Sequence, residues 1–571
     1  MNVINSRIRR CLLAAMLIVL LFSFAQFVRA ADPITARVMM APIANLDPVS
    51  LPRNSSARDL AENIFVGLTR YDPASGQIQP ELARSWTVSD DGLTWTFALR
   101  DDVSWVVYNS STGTVEAIRP VVAGDFVYAM RRACEPTLPN PVTNEVYVVK
   151  GCIEIATTDP LQINDVYVAQ TLGVRVVNDQ TLEIKLAFAA PYLVSLVSMP
   201  EFRPVPREAV NKDPDWTQAG VIMTSGPWAL AASTRNGDTL SAVTLIRNPL
   251  WPDKLAGNVD RIEISFGQSA DIVSSFGARK IDFARLDSAA AETIAQNAPA
   301  SILTAPAPQI TVLGFSTERT TVQKDAFRRA LSQAIDRASL VKTALANFAL
   351  PISRFVPPGV IGGPTTPPDN SGFLPDAAKA SISAAGFPRC QVNDRLDFLV
   401  EDRPDMLAVA QALSDQWKAV LGCTPYTIKV VKGAGDKVED VAHGTISTVN
   451  QNEPPRPHMW LYTWAADYLD ANAFLGDALH CDQIGYLRTG LPCSNADLLI
   501  DAAAVEKDPA SRAATYAQVE ALWFGPTGTF PVVPLYVSFT AVAKQSWLNG
   551  VTANGQLRFD LWTLDAGAQA K

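Results

Sequence analysis

Apolar and polar positions along this chain alternate in short runs, separated by stretches whose apolar positions recur at helical spacing. Residues 93–100 read Leu-Thr-Trp-Thr-Phe-Ala-Leu-Arg, a period of two that predicts a half-buried strand after the Asp90-Asp91-Gly92 turn. Residues 34–47, 179–187, 259–266, 396–400 and 426–431 carry further strand patterns. Phe327, Ala330, Leu331, Ala334 and Ile335 fall at i, i+3, i+4, i+7 and i+8, so residues 325–340 are predicted as one amphipathic helix. Helices are also expected over 405–420, 495–505 and 508–523, the last with Asp508 as its cap and Pro509 in its first turn. The pattern is most informative at 459–475, MWLYTWAADYLDANAFL. Trp460, Tyr462 and Trp464 share one face of a strand, and Asp467 and Asp470 then precede a small apolar helix. A carboxylate left without a partner at a buried strand end is costly. Either an acid here caps the helix, or it meets a small cationic group.

Length changes this picture first. At 571 residues the chain is too long for one core and calls for two to four lobes. Residues 1–30 have a basic start (Arg7, Arg9, Arg10), an apolar run and Val28-Arg29-Ala30 at the end, which reads as a secretory signal. An uncleaved anchor is the alternative, and the mature chain has no later run long enough to span a bilayer. The net charge is −9, and taking the four arginines of this segment from the 48 basic residues leaves 44 against 57 acidic. So acidic a mature chain argues against nucleic acid and against an anionic membrane face. Six cysteines remain after the signal, an even number that suggests disulfides in an exported protein. Neighbours in sequence make Cys134–Cys152, Cys390–Cys423 and Cys481–Cys493 the simplest pairing. His480-Cys481-Asp482 as a metal fragment is the weaker alternative, since no second ligand cluster stands at a useful spacing.

Signals for catalysis are missing. His443, His458 and His480 are in no metal-binding spacing, and there is no nucleophile elbow, P-loop or dinucleotide fingerprint. Ser339 to Lys342 fits S-x-x-K, but without the partner motifs that would give it meaning.

The order of short words along the chain carries more. Asn45-Leu46-Asp47-Pro48 is followed by a helix with Glu62, Asn63, Gly67 and Leu68. Then come Pro80-Glu81-Leu82-Ala83, Ser85-Trp86, the D-G turn and residues 122–136, VAGDFVYAMRRACEP. Residues 224–228 (TSGPW), 245–251 (LIRNPLW), the run RRALSQAIDRASLV and PLY at 534–536 continue the series. With the W-x-A-D-Y-x-D word at Trp464 and Asp467, these resemble the solute-binding proteins of ABC importers, family 5, the oligopeptide and dipeptide receptor type. The resemblance spans essentially the whole mature chain.

That resemblance implies a mixed α/β, periplasmic-binding-protein-like fold: two α/β lobes joined by two hinge strands, with a smaller lobe inserted in the first. The expected division is 31–72, 196–310 and 534–571 for lobe I, 73–195 for lobe II and 311–533 for lobe III. It implies a peptide receptor that needs no cofactor and performs no catalysis. Its partners would be a peptide or other small solute and, transiently, a membrane permease, with the chain itself monomeric. The place expected is the periplasm, cell envelope or exterior, tethered if the leading segment is kept. Asp467 is then the residue that meets the ligand's ammonium, and ligand main chain pairs beside Thr463, Trp464 and Ala465. Tyr536 and the loop residues Asn54 and Ser55 are further candidate contacts. An arginine that some oligopeptide receptors carry in the strand just before this tryptophan is absent: Trp460, Leu461 and Tyr462 stand there. An oligosaccharide or metal chelate is therefore the alternative ligand, and a secreted hydrolase the lesser alternative function.

Overall fold

One mixed sheet of eleven strands runs through the molecule and is the frame on which every lobe hangs. The computed structural model describes residues 32–570 apart from 53–55, 74, 139–142, 364–371, 393–394, 425, 444–455, 482–486, 488–490 and 553–555. The leading segment lies outside that range. In chain order the strands are β1 (Thr35–Met40), β2 (Trp228–Asn236), β3 (Thr239–Arg247), β4 (Arg261–Phe266), β5 (Phe283–Leu286) and β6 (Ile302–Phe315). They continue with β7 (Ala349–Pro351), β8 (Leu396–Glu401), β9 (Ile428–Gly433), β10 (Met459–Ala465) and β11 (Val533–Lys544). Their order across the sheet is β2-β3-β4-β1-β5-β11-β6-β10-β8-β9, with β7 beside β11.

Two long strands join the halves. The end of β11, Ala541 to Lys544, pairs antiparallel with β5, while the end of β6, Gln309 to Phe315, pairs antiparallel with β10. β6 and β11 also pair with each other from Ile302–Ala543 to Leu313–Val533, so the sheet crosses from one lobe to the next on two strands. This is the two-lobed arrangement with two hinge strands that the sequence words imply. The β6–β11 register slips between Pro306 and Ile310. Pro306 and Pro308 have no N–H to give, which breaks the ladder where the chain crosses. Opposite Trp460, β6 carries Gly314, and a Cβ there would stand 2.1 Å from the indole. Any side chain at 314 would displace that ring.

A separate antiparallel sheet, in the order Ala83–Val88, Thr94–Leu99, Thr181–Lys185, Val174–Asn178, has the two cleanly alternating runs as its middle strands. The helix Ala123–Cys134, packed against this sheet, is tied to the main body by charge. Arg132 donates to both oxygens of Asp47 at 3.1 and 2.7 Å, and Trp216 Nε1 donates to the same carboxylate at 3.1 Å. Lys507 reaches this sheet's turn from the far lobe and donates to the Asp90 carbonyl at 2.7 Å.

The helices that matter below are α1 (Ser56–Ile64), α2 (Asp325–Gln333), α3 (Arg337–Leu345), α4 (Ala471–Leu479) and α5 (Pro509–Phe524). The single helix expected over 325–340 is in fact α2 and α3. Asp336 causes the break: its carboxylate caps α3 by accepting from Ser339 N at 3.1 Å, which needs a non-helical backbone at 336. Cys134–Cys152, Cys390–Cys423 and Cys481–Cys493 are bonded, with Cα separations of 5.2, 5.0 and 5.1 Å. Cys481 is therefore no free thiolate for a metal. No described helix is long and apolar enough to cross a membrane.

Glu520 on α5 makes part of the stability depend on pH. It is buried and accepts from Phe355 N at 3.0 Å and Val356 N at 2.8 Å, yet desolvation outweighs these bonds and pushes its pKa up to about 7. The folded value lies above the unfolded one, so its contribution is fully present below the unfolded pKa and lost as pH rises through about 7. We expect Glu520→Gln to flatten the fall in stability between about pH 4.5 and pH 7, by at most about 1.4 kcal/mol per pH unit. Urea unfolding at four pH values checks this.

Candidate functional site

The crossing strands form the floor of a cleft of about 560 Å³. Residues 305–309 of β6 and Phe539 and Thr540 of β11 lie along that floor. One wall carries Arg58, Asp59 and Glu62 from α1 and Arg285 from β5; the other carries residues 465–469 and 358–360. A larger cavity, about 640 Å³, lies inside one lobe between α5 and residues 353–356. It sits away from the crossing strands. The interlobe cleft is the better site because charged groups from both lobes face it.

Helix α1 explains one wall. Arg58, Asp59 and Glu62 fall within one turn, on the side of the helix that faces the cleft. Arg58 is held by both carboxylate oxygens of Glu201, with Nη2 to Oε2 at 3.0 Å. Arg285 Nη2 donates to Asp59 Oδ1 at 2.9 Å. Burial pushes the Asp59 carboxyl up to about 7, against the pull of Arg285 and with the added push of Glu62. Glu62 in turn accepts from Gln556 Nε2 at 3.2 Å.

The opposite wall is the end of β10. Asp467 is half-buried there, and its charge acts across the cleft on Arg58, stabilising the guanidinium, and on buried Glu201, raising that acid. Asp470, three residues on, does a different job. It is 1% exposed, caps α4 by accepting from Asn472 N at 2.8 Å, and takes two bonds from Arg512 at 2.6 and 2.7 Å.

The edge of β10 is as informative as its end. Ala466 N donates to Pro308 O at 2.9 Å, and Ser316 N donates to His458 O at 3.1 Å. Even-numbered residues of β10 therefore turn their backbone groups toward β6, and Leu461, Thr463 and Ala465 turn theirs the other way. On that side β8 pairs only with Met459 and Trp460. Among the described residues no strand covers the edge from 462 to 465, beyond the Leu461 N–H that β8 takes.

Of the residues singled out in the sequence, Asp467 and Ala465 line the cleft. Thr463 shares a hydroxyl hydrogen bond with Thr311 at 2.7 Å, leaving its backbone at the open edge. Trp464 is buried and its Nε1 donates to Ala473 O at 3.2 Å. Tyr536 is buried in β11, where burial pushes its hydroxyl up to about 12 despite a bond to Thr311; it does not line the cleft. Asn54 and Ser55 lie outside the described residues. Arg58, Asp59, Arg285 and Glu201 were not anticipated. The one signal available was the position of Arg58 and Asp59, a turn or less ahead of Glu62 in a word already noted.

A sequence profile described as bacterial extracellular solute-binding proteins, family 5 Middle, matches residues 77–486. The periplasmic oligopeptide-binding protein OppA of Escherichia coli is 25% identical over 528 residues, covering 90% of this chain and 89% of that one. The probable deoxycholate-binding periplasmic protein YgiS of Escherichia coli is 25% identical over 501 residues, covering 86% and 85%. Among solved structures, the unliganded open form of the periplasmic murein tripeptide binding protein MppA superposes with a TM-score of 0.76 at 22% identity, covering 93% of this chain and 96% of that one. The fold is theirs, and by the match over most of its length this chain belongs to the bacterial extracellular solute-binding proteins, family 5.

Proposed function

We propose that the chain captures peptides in the interlobe cleft, closes on them about the two crossing strands, and delivers them to the membrane permease of an ABC importer. The observation that carries this reading is an uncovered strand edge that ends at a carboxylate. An extended peptide along Leu461, Thr463 and Ala465 completes the main-chain pairing of β10 and brings its ammonium to Asp467. Main-chain pairing ignores side chains, which suits a receptor for many sequences. Binding between the lobes favours the closed form, and the closed form is what the permease receives. No bond is made or broken. The chain acts as an exported monomer, with lobe I formed by residues 31–72, 196–310 and 534–571, lobe II by 73–195 and lobe III by 311–533.

An oligosaccharide is disfavoured because Trp460 and Trp464, the rings that would stack on it, are buried in the sheet. A deoxycholate-like anion is the second reading. Ile78, Met199 and Phe539 give the cleft an apolar side, and Arg58 and Arg285 supply cations. Titration calorimetry separates these readings. Di- to pentapeptides are expected to bind with Kd on the order of micromolar or tighter, and cello-oligosaccharides and deoxycholate not at all. Binding of deoxycholate with silence from every peptide would overturn the proposal.

A further inference from the structure

We propose that Tyr192 is a positioning residue for ligand capture: from across the cleft it fixes where the Asp467 carboxylate stands. This rests on the reading of Asp467 as the ammonium anchor. Asp467 occupies a short turn between two fixed points. Behind it, Ala466 N is held by Pro308 O at 2.9 Å. Ahead of it, the Tyr468 ring is buried, and its hydroxyl donates to Asp477 at 2.7 Å and accepts from Asn472 at 3.1 Å.

The face of that ring is covered by Tyr192, with centroids 5.5 Å apart and planes 15° from parallel. Tyr192 belongs to the opposite side. It immediately precedes the short helix Leu193–Leu196, in which the Val194 carbonyl accepts from Thr69 Oγ1 at 2.7 Å. The Arg512 guanidinium lies 5.6 Å over the Tyr192 ring while gripping Asp470. One ring from the facing side thus touches two groups that hold the chain just after Asp467, the Tyr468 ring and the Arg512 guanidinium that grips Asp470. Protein groups alone complete this support, so the anchor is set before any ammonium arrives. Pre-set anchors bind more tightly because less ordering is left to the ligand.

The test compares tetraalanine with N-acetyl-tetraalanine, which has no ammonium for Asp467. Affinities come from calorimetry on wild type, Y192A, Y192L and Y192F, with melting temperatures as a check on folding. Wild type is expected to prefer the free peptide. Y192A, or Y192L should Y192A fail to fold, is expected to lose roughly three- to tenfold of that preference. Y192F keeps the stacked ring and is expected to retain it. A merely structural role would weaken both peptides equally and leave the preference intact, and that result overturns the inference while sparing the peptide reading. Wild type without any preference for the free peptide would overturn the anchor role of Asp467 and this inference with it.

Discussion

Asp467→Ala is expected to weaken binding of peptides with a free amino terminus by about ten- to a hundredfold. A hydrogen bond to an ionised partner is worth about 1.5–3 kcal/mol, and each 1.4 kcal/mol is a factor of ten. The effect is large because the acid stands at the end of the open edge of β10, where no other described acid is placed to take over. Asp59 and Glu62 belong to the opposite wall and are engaged by Arg285 and Gln556. Stability should change little, since Asp467 is half-buried and neither caps a helix nor fills the core. Calorimetry with a tripeptide, alongside a melting curve, reads both quantities. Unchanged affinity would reject the anchor.

Asp470→Asn is expected to do the reverse. Asparagine still caps α4, so the helix start survives. What is lost is the counter-charge of Arg512, whose side chain is 7% exposed and which also bonds to the Tyr516 hydroxyl at 3.2 Å. Removing one member of a buried ion pair leaves the other uncompensated and costs about 3–5 kcal/mol. We expect a loss of that size on the transition that unfolds α4 and α5, read by urea denaturation. A loss below about 1 kcal/mol would show that water or a neighbour compensates Arg512. On this proposal two acids three residues apart divide the work: one serves the ligand, the other the fold.

The contrast marks what could be read in advance. Sequence spacing placed both acids after an aromatic strand and allowed either to be cap or ligand partner. The choice depends on Arg512, distant in sequence, which no local pattern announces. Period-two spacing put Trp460, Tyr462 and Trp464 on one face, but periodicity does not say whether a face meets a ligand or a helix. Here the indole of Trp464 meets α4. Tyr536 is a similar case, since its strand was legible and its burial between neighbouring strands was not. Two strands of the smaller sheet, Thr94–Leu99 and Thr181–Lys185, were legible because each alternates over contiguous residues, whereas the two crossing strands were implied only by the family resemblance. The wall that carries α1 was not legible, because Arg58–Glu201 and Arg285–Asp59 join residues far apart in the chain. The break between α2 and α3 was missed because the apolar spacing runs on through Asp336, whose cap overrides it.

The most direct measurement is mass spectrometry of the small molecules released when the chain, purified from the envelope of the cells that export it, is denatured. The account predicts short peptides of mixed sequence, all with unblocked amino termini. A saccharide, a steroid acid or peptides with blocked amino termini would contradict it.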